Sequence, residues 1–319
     1  MDRRTLLLAP LGLLAPETSF GRADETTATE TIKLWQGEAP ISAIQTFSEV
    51  IEKVSTEPKL LSRRFKGVRE PRLLVFRPAR PTGAATIILP GGGFSYGYFD
   101  HEGIRLANHL CEHGITAFVL FYRLANDGWS DRLNVGLADA QRAVRIVRAS
   151  AGPLGIDPSR LGVVGFSAGG FVAASLATRC NDQVYPKQDA ADQLSARPDF
   201  AGLVYPVQSL DPKVAWQGAA PSLFGRQASA AEIRAFSPEN RIDKNTPPLF
   251  LVHAEDDMAV PIENSIRLRN AARAAGVAVE AHFFAKGEHG FGVDPERHEP
   301  NQIWPLLFSN FINSSPSTR

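Results

Sequence analysis

A serine flanked by glycines follows a short apolar segment near the middle of the chain. The segment and its continuation are Leu161-Gly162-Val163-Val164-Gly165-Phe166-Ser167-Ala168-Gly169-Gly170. Apolar β-branched residues favour a strand, and the small residues that follow Ser167 are compatible with a helix. In a tight turn between strand and helix, backbone strain raises a serine hydroxyl above the sheet. The pattern predicts that Ser167 is a nucleophile, although Gly-x-Ser-x-Gly alone is weak evidence.

A serine nucleophile needs a general base, and the chain contains seven histidines. His289 lies in the glycine-containing loop 287–292, directly after the last predicted strand. Loops after parallel strands meet at one edge of a sheet, where α/β proteins form their ligand sites. The remaining histidines fall within predicted strands or in the first helical region, except for His298 in the tail loop. We therefore predict His289 as the base, with His298 as the alternative.

The triad also needs an acid that orients the imidazole and stabilises the imidazolium. Three acidic residues, Glu255-Asp256-Asp257, follow a predicted strand. We predict Asp257 as the acid. Asp256 is the nearest alternative, and Asp211, which follows the preceding predicted strand, is a further one. The resulting chain order of serine, aspartate and histidine is the order found in α/β-hydrolases.

An oxyanion needs backbone donors at the same edge of the sheet. The segment Pro90-Gly91-Gly92-Gly93 directly follows an apolar segment, 86–89, that predicts a buried strand. Glycines allow a backbone to turn its N–H groups inward and leave room for an acyl oxygen. We predict Gly91, Gly92 and Ala168 as the oxyanion donors, with Gly93 as a substitute for one of the first two.

Aromatic residues in loops near this edge are candidates for contact with substrate. They are Phe94, Tyr96, Tyr98, Phe99 and Trp129. From this set we predict Phe94, Tyr96 and Trp129 as substrate-binding residues. The alternative is local packing, which loop aromatics show about as often as ligand contacts.

Apolar segments alternate with helical segments along the chain, which predicts an α/β fold with a mostly parallel central sheet and helices on both faces. The predicted strands are 72–76 (flanked by prolines, as an edge strand allows), 86–89, 115–122, 161–166, 200–205, 249–253 and 277–284. The predicted helices are 102–113, 135–151, one from 171, 262–275 and 304–312. The segment 206–245 has no strong strand, and within it only 229–236 favours a helix. We interpret it as a lid-like insertion.

The N-terminal residues have the pattern of an export signal. Arg3-Arg4 precede a short apolar segment, and small residues follow it. We interpret 1–23 as a signal peptide that resembles the twin-arginine type, 24–31 as a disordered leader and 32–319 as a single domain. This interpretation predicts a periplasmic or secreted protein. The two cysteines, Cys111 and Cys180, are predicted to be buried or half-buried thiols.

The composition argues against several classes of partner. The formal net charge is zero and no basic block is present, so the sequence does not favour nucleic acid. The apolar N-terminal segment is too short to span a bilayer. Metal-binding motifs are lacking, and the local cluster 100–102 of Asp, His and Glu is interpreted as a helix start rather than a metal site. We predict no metal or organic cofactor, and the sequence leaves the oligomeric state open.

With these residues in place, the chain resembles the α/β-hydrolases of the esterase/lipase superfamily, and within them secreted bacterial acetyl-esterase or acetylxylan-esterase-like proteins. The resemblance begins at Ile32 and is carried by Leu34-Trp35, Gly37, Ala39-Pro40, Pro90-Gly91-Gly92-Gly93-Phe94, Glu102-Gly103, Tyr122-Arg123-Leu124, Asp139, Arg142-Ala143, Gly165 to Gly170, Ser237-Pro238-Glu239, His253-Ala254, Asp256-Asp257, Val260-Pro261 and Gly287 to Gly292. Pro90 departs from the His-Gly-Gly-Gly of hormone-sensitive-lipase-type enzymes, which favours the acetyl-esterase-like branch.

The resemblance implies a serine ester hydrolase that removes acetyl or other short acyl groups, with carbohydrate such as xylan as one substrate class. Three alternatives remain at this point. They are a general carboxylesterase or lipase that acts on small non-sugar esters, a serine peptidase of the same fold, and a non-enzymatic binding protein on a hydrolase scaffold. Prolyl-peptidase-type relatives usually carry a large added domain, and a binding protein would normally lack a triad residue.

Overall fold

The structure is a computed structural model that describes residues 28–55, 62–294, 297 and 299–314 of the 319-residue chain. The predicted signal peptide at 1–23, the first part of the predicted leader and His298 lie outside the described residues.

Ten strands form two sheets within the described residues. They are β1 (Glu30–Lys33), β2 (Val50–Lys53), β3 (Arg63–Lys66), β4 (Arg72–Phe76), β5 (Ala85–Leu89), β6 (Thr116–Phe121), β7 (Leu161–Phe166), β8 (Ala201–Val204), β9 (Leu249–Ala254) and β10 (Val279–Phe284). Eight of them form the central sheet in the order β1-β4-β6-β5-β7-β8-β9-β10. All neighbours from β6 to β10 are parallel, while β4 is antiparallel to β1 and β6. The predicted mostly parallel sheet is confirmed.

Eight α-helices accompany these strands in the described residues. They are α1 (Arg105–Glu112), α2 (Val135–Ala149), α3 (Ala151–Leu154), α4 (Ser167–Arg179), α5 (Ala219–Phe224), α6 (Ala230–Phe236), α7 (Glu263–Ala274) and α8 (Trp304–Ser314). A Cβ added to Gly165 of β7 would meet Ala173 of α4, whereas one added to Gly202 of β8 would meet Phe308 of α8. Gly202 pairs with Val164, and consecutive strand residues point to opposite faces. Helices α4 and α8 therefore cover opposite faces of the sheet.

The central strands are held by burial on both faces. Every residue of β5, β6 and β7 is buried, as expected of parallel strands between two helical layers. Full burial of one Val, Leu or Ile side chain is worth about 1.5–3 kcal/mol. The carboxyl ends of these strands, from which the site residues project, are therefore fixed by the core.

The outer edge of the sheet differs from the prediction. The segment 72–76 was expected to be an edge strand, but β1 pairs with its outer side and places Thr31 opposite Leu74. The prediction of a disordered leader over 24–31 is therefore wrong for Glu30 and Thr31. Strand β1 is polar and mostly exposed, and backbone hydrogen bonds rather than side-chain burial hold it in place. No apolar pattern marks such a strand in the sequence.

The sequence also did not predict the two-stranded antiparallel sheet that β2 and β3 form. Its side chains are largely exposed or half-buried. Glu52 forms ion pairs with Arg64 and Lys66 across the two strands. Opposite charges at such cross-strand positions stabilise the pairing only modestly.

The insertion 206–245 lies between β8 and β9 and contains α5, which was not predicted, and α6, which was. The side chain of Ser229 accepts the N–H of Glu232 at the start of α6, and the Glu232 carboxylate accepts the N–H of Ser229. This reciprocal capping explains why the helix begins there. A small apolar cluster that includes Phe171 and Leu223 packs the insertion beside the carboxyl edge of the sheet.

Cys180 is a buried free thiol and Cys111 a half-buried one, which confirms that prediction. Burial raises the pKa of Cys111 to about 11, so this thiol stays protonated and unreactive near neutral pH. Within the described residues, no helix has both the length and the apolar character to cross a bilayer.

Candidate active site

The turn between β7 and α4 places Ser167 at the carboxyl edge of the sheet. Ser167 has a φ of 48°, in the left-handed region that is unfavourable for residues with a side chain, as predicted for a strained turn. A Cβ at Gly165 would lie 2.3 Å from the oxygen of Gly169, and one at Gly169 would lie 2.2 Å from the oxygen of Leu89. Both positions therefore require glycine for β5, β7 and α4 to approach this closely.

The structure brings Ser167, His289 and Asp257 together in a hydrogen-bonded chain. Ser167 Oγ lies 2.9 Å from His289 Nε2, and His289 Nδ1 lies 2.7 Å from Asp257 Oδ2. The three residues follow β7, β10 and β9, whose carboxyl ends meet at one edge of the sheet. This geometry allows the imidazole to take a proton from the serine hydroxyl while the carboxylate stabilises the imidazolium.

Asp257 is buried and accepts four hydrogen bonds. Its Oδ1 accepts the backbone N–H groups of Ala259 and Val260 at 2.9 and 2.8 Å, and its Oδ2 lies within hydrogen-bond distance of His253 and His289. Burial alone would raise the pKa of Asp257. The hydrogen bonds from His253, His289 and the Val260 backbone outweigh burial and hold this pKa well below its usual value. Asp257 is therefore ionised whenever His289 has to receive a proton.

The two rival acids have other partners. Asp256 accepts the backbone N–H of Glu288 at 2.8 Å. This contact holds the base loop, residues 287–292, next to the turn that contains Asp256 and Asp257. Asp211 forms an ion pair with Arg267 at 2.9 Å. The carboxylate that reaches the His289 ring is thus that of Asp257.

The oxyanion loop, Gly91-Gly92-Gly93, differs from the prediction at its first residue. The N–H of Gly91 donates to Glu102 Oε2 at 2.7 Å, so a side chain already occupies it and it is not free to donate to an oxyanion. Gly92 and Gly93 both line the pocket, with φ values of 146° and 62°. A Cβ at Gly92 would lie 2.4 Å from the Tyr96 oxygen. Gly93 therefore takes the place of Gly91 beside Gly92.

Ala168 is buried in the first turn of α4. The first N–H groups of a helix have no acceptor within the helix, and the helix dipole adds a partial positive charge at this end. The N–H of Ala168 and those of Gly92 and Gly93 are therefore the candidates for an electropositive position beside Ser167 Oγ. Such a position suits the oxygen of a tetrahedral intermediate.

A cavity of about 300 Å³ lies above Ser167. It is lined by Gly92, Gly93, Tyr98, His101, Glu102, Ser167, Trp216, Ala259, Val260, His289 and Gly290. The cavity combines apolar side chains with a few polar groups, as small-molecule sites usually do. Its volume is within the range of small-molecule sites.

None of the three predicted substrate-binding aromatics lines this cavity. Trp129 is buried against Phe47, with ring centroids 5.1 Å apart. Tyr96 stacks with the guanidinium of Arg64 at 3.6 Å, and Phe94 is buried between its neighbours in the apolar cluster. The rings instead contact protein partners, which sequence position near a sheet edge does not reveal.

The cluster Asp100-His101-Glu102 begins a helix, as predicted. It forms one wide turn, Asp100–Ile104, directly before α1. Its three side chains have different partners: Asp100 pairs with Arg63, His101 packs on Tyr98, and Glu102 binds Gly91. The described residues include no group of three or more His, Cys, Asp or Glu side chains arranged to hold a metal ion.

The sequence reasoning missed two residues of the site. Trp216, in the insertion, packs beside the oxyanion loop, since a Cβ on Gly93 would lie 3.2 Å from its ring. His253 is fully buried in β9, with Nε2 3.1 Å from Asp257 Oδ2 and Nδ1 2.8 Å from Ser265 Oγ. The spacing of His253 four residues before Asp257 could have pointed to this contact, whereas no motif marks Trp216.

Comparison with known proteins extends these observations. A family model described as BD-FAE matches residues 75–272. An acetylxylan esterase from Xylanibacter ruminicola is 33% identical over 78% of this chain, and an endo-1,4-beta-xylanase B from Butyrivibrio fibrisolvens is 34% identical over 65% of it. The matched regions make up 49% and 32% of those two proteins, so the chain spans half or less of their length.

A solved structure is also similar to this chain. The acetyl ester-xyloside bifunctional hydrolase from Caldicellulosiruptor lactoaceticus superposes with a TM-score of 0.72 at 31% identity. The match covers 89% of this chain and 96% of that one. With its mostly parallel sheet and a family model that matches more than half of its residues, the chain belongs to the BD-FAE family of α/β-hydrolases.

Proposed function

We propose that the protein is a serine carboxylic-ester hydrolase in which Ser167, His289 and Asp257 form the catalytic triad. The observation that carries the proposal is the unbroken chain from Ser167 Oγ through His289 to Asp257, with contacts of 2.9 and 2.7 Å. This series of hydrogen bonds ends at Ser167, at the start of α4 and beside the oxyanion loop. A binding protein on this scaffold has no need for such an arrangement.

In the proposed mechanism, His289 Nε2 takes the proton from Ser167 Oγ as the oxygen attacks the ester carbonyl. The resulting oxyanion accepts hydrogen bonds from backbone N–H groups of Gly92, Gly93 and Ala168. His289 then gives its proton to the leaving alcohol, and an acyl-enzyme forms on Ser167. Water, deprotonated by His289, hydrolyses this ester in the second half of the reaction.

The substrate class that fits best is an acetyl or other short acyl ester, with acetylated carbohydrate such as xylan as one candidate. Two facts support this choice. One curated relative is an acetylxylan esterase, and one solved neighbour is an acetyl ester-xyloside hydrolase. The export signal proposed for 1–23 would place the enzyme in the periplasm or outside the cell.

A comparison of substrates tests this proposal. We expect release of acetate from acetylated xylan, and a kcat/KM for p-nitrophenyl acetate about 100-fold above that for the octanoate, because the Trp216 ring beside Gly93 would obstruct the added methylenes. Preference for the octanoate together with failure to deacetylate xylan would favour a general carboxylesterase or lipase. Cleavage of a peptide amide with no ester preference would favour a peptidase.

Trp216 is expected to limit the length of the acyl group. Its ring packs over Phe94, with centroids 6.2 Å apart, and forms one wall of the cavity next to Gly93. Trp216→Ala should raise the ratio of kcat/KM for p-nitrophenyl hexanoate to that for the acetate by about 10-fold. The matched control is Phe236→Ala, an aromatic in the same insertion that packs on Phe224 instead. An equal ratio in wild type and Trp216→Ala contradicts this role.

A further inference from the structure

Glu102 is a buried carboxylate beside the catalytic cavity to which the proposed mechanism gives no role. It lies in the turn Asp100–Ile104 and is 4% exposed. Among the described residues, no lysine, arginine or histidine forms an ion pair with it. Burial of a carboxylate without a cation is unfavourable. An apolar residue could fill this position without the free-energy cost of burying a carboxylate. The presence of Glu102 here therefore indicates that its hydrogen bonds have a function.

The two carboxylate oxygens of Glu102 bind two different parts of the site. Oε2 accepts the backbone N–H of Gly91 at 2.7 Å, which is the first residue of the oxyanion loop. Oε1 accepts the hydroxyl of Tyr205 at 2.8 Å. Glu102 is therefore fully engaged by neutral donors, one in the oxyanion loop and one at the end of β8.

Tyr205 continues this connection to the base loop. Its hydroxyl oxygen accepts the N–H of Gly292 at 3.0 Å, and its ring packs against the rings of His289 and Phe291 with centroids 5.0 and 4.6 Å away. Burial, with the charge of Glu102 second, raises the pKa of Tyr205 well above its usual value. The tyrosine thus keeps its proton and donates a hydrogen bond to Glu102.

We propose that Glu102 is a positioning residue that holds the oxyanion loop and the base loop in one relative geometry through Tyr205. The inference rests on the serine esterase function proposed above. Glu102 acts on the reaction only through the loops: it fixes the peptide of Gly91, so that the following N–H groups of Gly92 and Gly93 face the oxyanion. It also fixes Tyr205, whose ring packs against the ring of His289.

The physical reason is that both loops contribute to one transition state. Oxyanion donors stabilise charge only if they already point to the place where the oxygen will be, and a shift of about 1 Å in such a site costs roughly 100-fold in rate. Glycines at 91–93 have little conformational preference of their own. A loop of this composition needs contacts to hold one conformation. Backbone N–H groups of Ser95, Tyr96 and Tyr98 bind its carbonyl groups, and the Glu102 carboxylate adds the contact that fixes the Gly91 N–H.

The first test is Glu102→Gln. A glutamine has nearly the same shape, but only one of its two terminal atoms accepts hydrogen bonds, so it cannot accept from both Gly91 and Tyr205 as the carboxylate does. We expect kcat for p-nitrophenyl acetate to fall about 10- to 100-fold while KM stays within about threefold. Active sites should be titrated with a fluorophosphonate that labels Ser167, so that kcat refers to folded enzyme.

A transition-state mimic separates positioning from a merely structural role. A trifluoromethyl ketone forms a tetrahedral adduct with a serine oxygen and needs the same donors as the reaction. Its inhibition constant should rise in Glu102→Gln by about the factor by which kcat falls. A loss of stability alone would lower the melting temperature and leave this constant unchanged for titrated enzyme.

The chain offers a matched control pair away from the site. Tyr185 donates its hydroxyl to the buried carboxylate of Asp192 at 2.6 Å, as Tyr205 does to Glu102, while Asp192 also has an ion pair with Arg142. Tyr185→Phe and Asp192→Asn should lower stability but leave kcat per titrated site unchanged. Tyr205→Phe, in contrast, should lower kcat about 10-fold, and combined with Glu102→Gln it should cost less than the product of the two effects.

The inference is overturned if Glu102→Gln and Tyr205→Phe both keep the kcat and the inhibitor affinity of the wild type. If Glu102→Gln does not fold, Tyr205→Phe decides, since it keeps the carboxylate and removes only one hydroxyl. Failure of the proposed function would look different, because wild-type enzyme would then neither react with the fluorophosphonate nor hydrolyse the ester.

Discussion

Replacement of Ser167 by alanine is expected to lower kcat/KM for p-nitrophenyl acetate by about 10⁴- to 10⁶-fold. The variant lacks the oxygen that attacks the carbonyl, while His289, Asp257 and the oxyanion donors remain in place. Alanine and serine tolerate the positive φ of this position similarly, so the melting temperature should change little. The measurement is the esterase rate of purified protein with its thermal unfolding curve.

Ser175→Ala is the matched control for this prediction. Ser175 is buried on the same helix, α4, two turns further along. Its replacement should leave the rate within about twofold of wild type, as is usual for changes away from the reacting groups. Activity of Ser167→Ala near that of wild type would remove Ser167 from the mechanism and leave the triad without a nucleophile.

Asp257→Asn is expected to lower kcat by about 10⁴-fold with the geometry largely retained. An asparagine presents an N–H₂ group where a carboxylate accepts hydrogen bonds from His253, His289 and two backbone N–H groups. The amide favours the wrong tautomer of His289 and does not stabilise the imidazolium. The rate should be measured at several pH values, since hydroxide can replace part of the lost base function at high pH.

Asp256→Asn is the control, because the adjacent carboxylate binds only the Glu288 backbone of the base loop. Its effect on kcat should stay below about tenfold, which is modest for a supporting contact. Equal losses in Asp256→Asn and Asp257→Asn would show that the acid had been assigned to the wrong residue.

The same aspartate predicts a pH dependence of stability. The folded pKa of Asp257 lies below its ordinary value, so the charged form stabilises the fold at pH values above the unfolded pKa of about 3.9. This contribution is lost as the pH falls through the folded pKa. The difference in melting temperature between wild type and Asp257→Asn should therefore be largest near neutral pH and shrink on acidification below about pH 4.

The catalytic residues could be predicted because each is marked by local sequence. Ser167 lies between glycines that a strand-to-helix turn requires, and His289 and Asp257 directly follow apolar segments that form β10 and β9. Parallel strands bring the segments after them to one edge, so the three residues had to lie near one another. Their proximity follows from topology, and topology follows from the alternation of strands and helices.

The residues around them could not be predicted in the same way. Trp129 and Tyr96 appeared suited to bind substrate, yet Trp129 is buried beside Phe47 and Tyr96 stacks on Arg64. Trp216 is in a segment without a motif and still reaches the cavity. Side-chain neighbours of this kind come from segments distant in sequence, and residue type carries no information about which distant segment will be adjacent.

The amino-acid sequence alone was enough to predict the α/β architecture and the residues proposed as nucleophile, base and acid, because strand and turn preferences act over a few residues. The tertiary structure decided which N–H groups of the oxyanion loop have a protein acceptor. Gly91, Gly92 and Gly93 are equivalent in sequence, and only the approach of Glu102, eleven residues further on, occupies the N–H of Gly91. It likewise decided that the hydroxyl of Tyr205 joins Glu102 to the base loop. Such choices depend on three-dimensional packing between elements, which local sequence preferences do not specify.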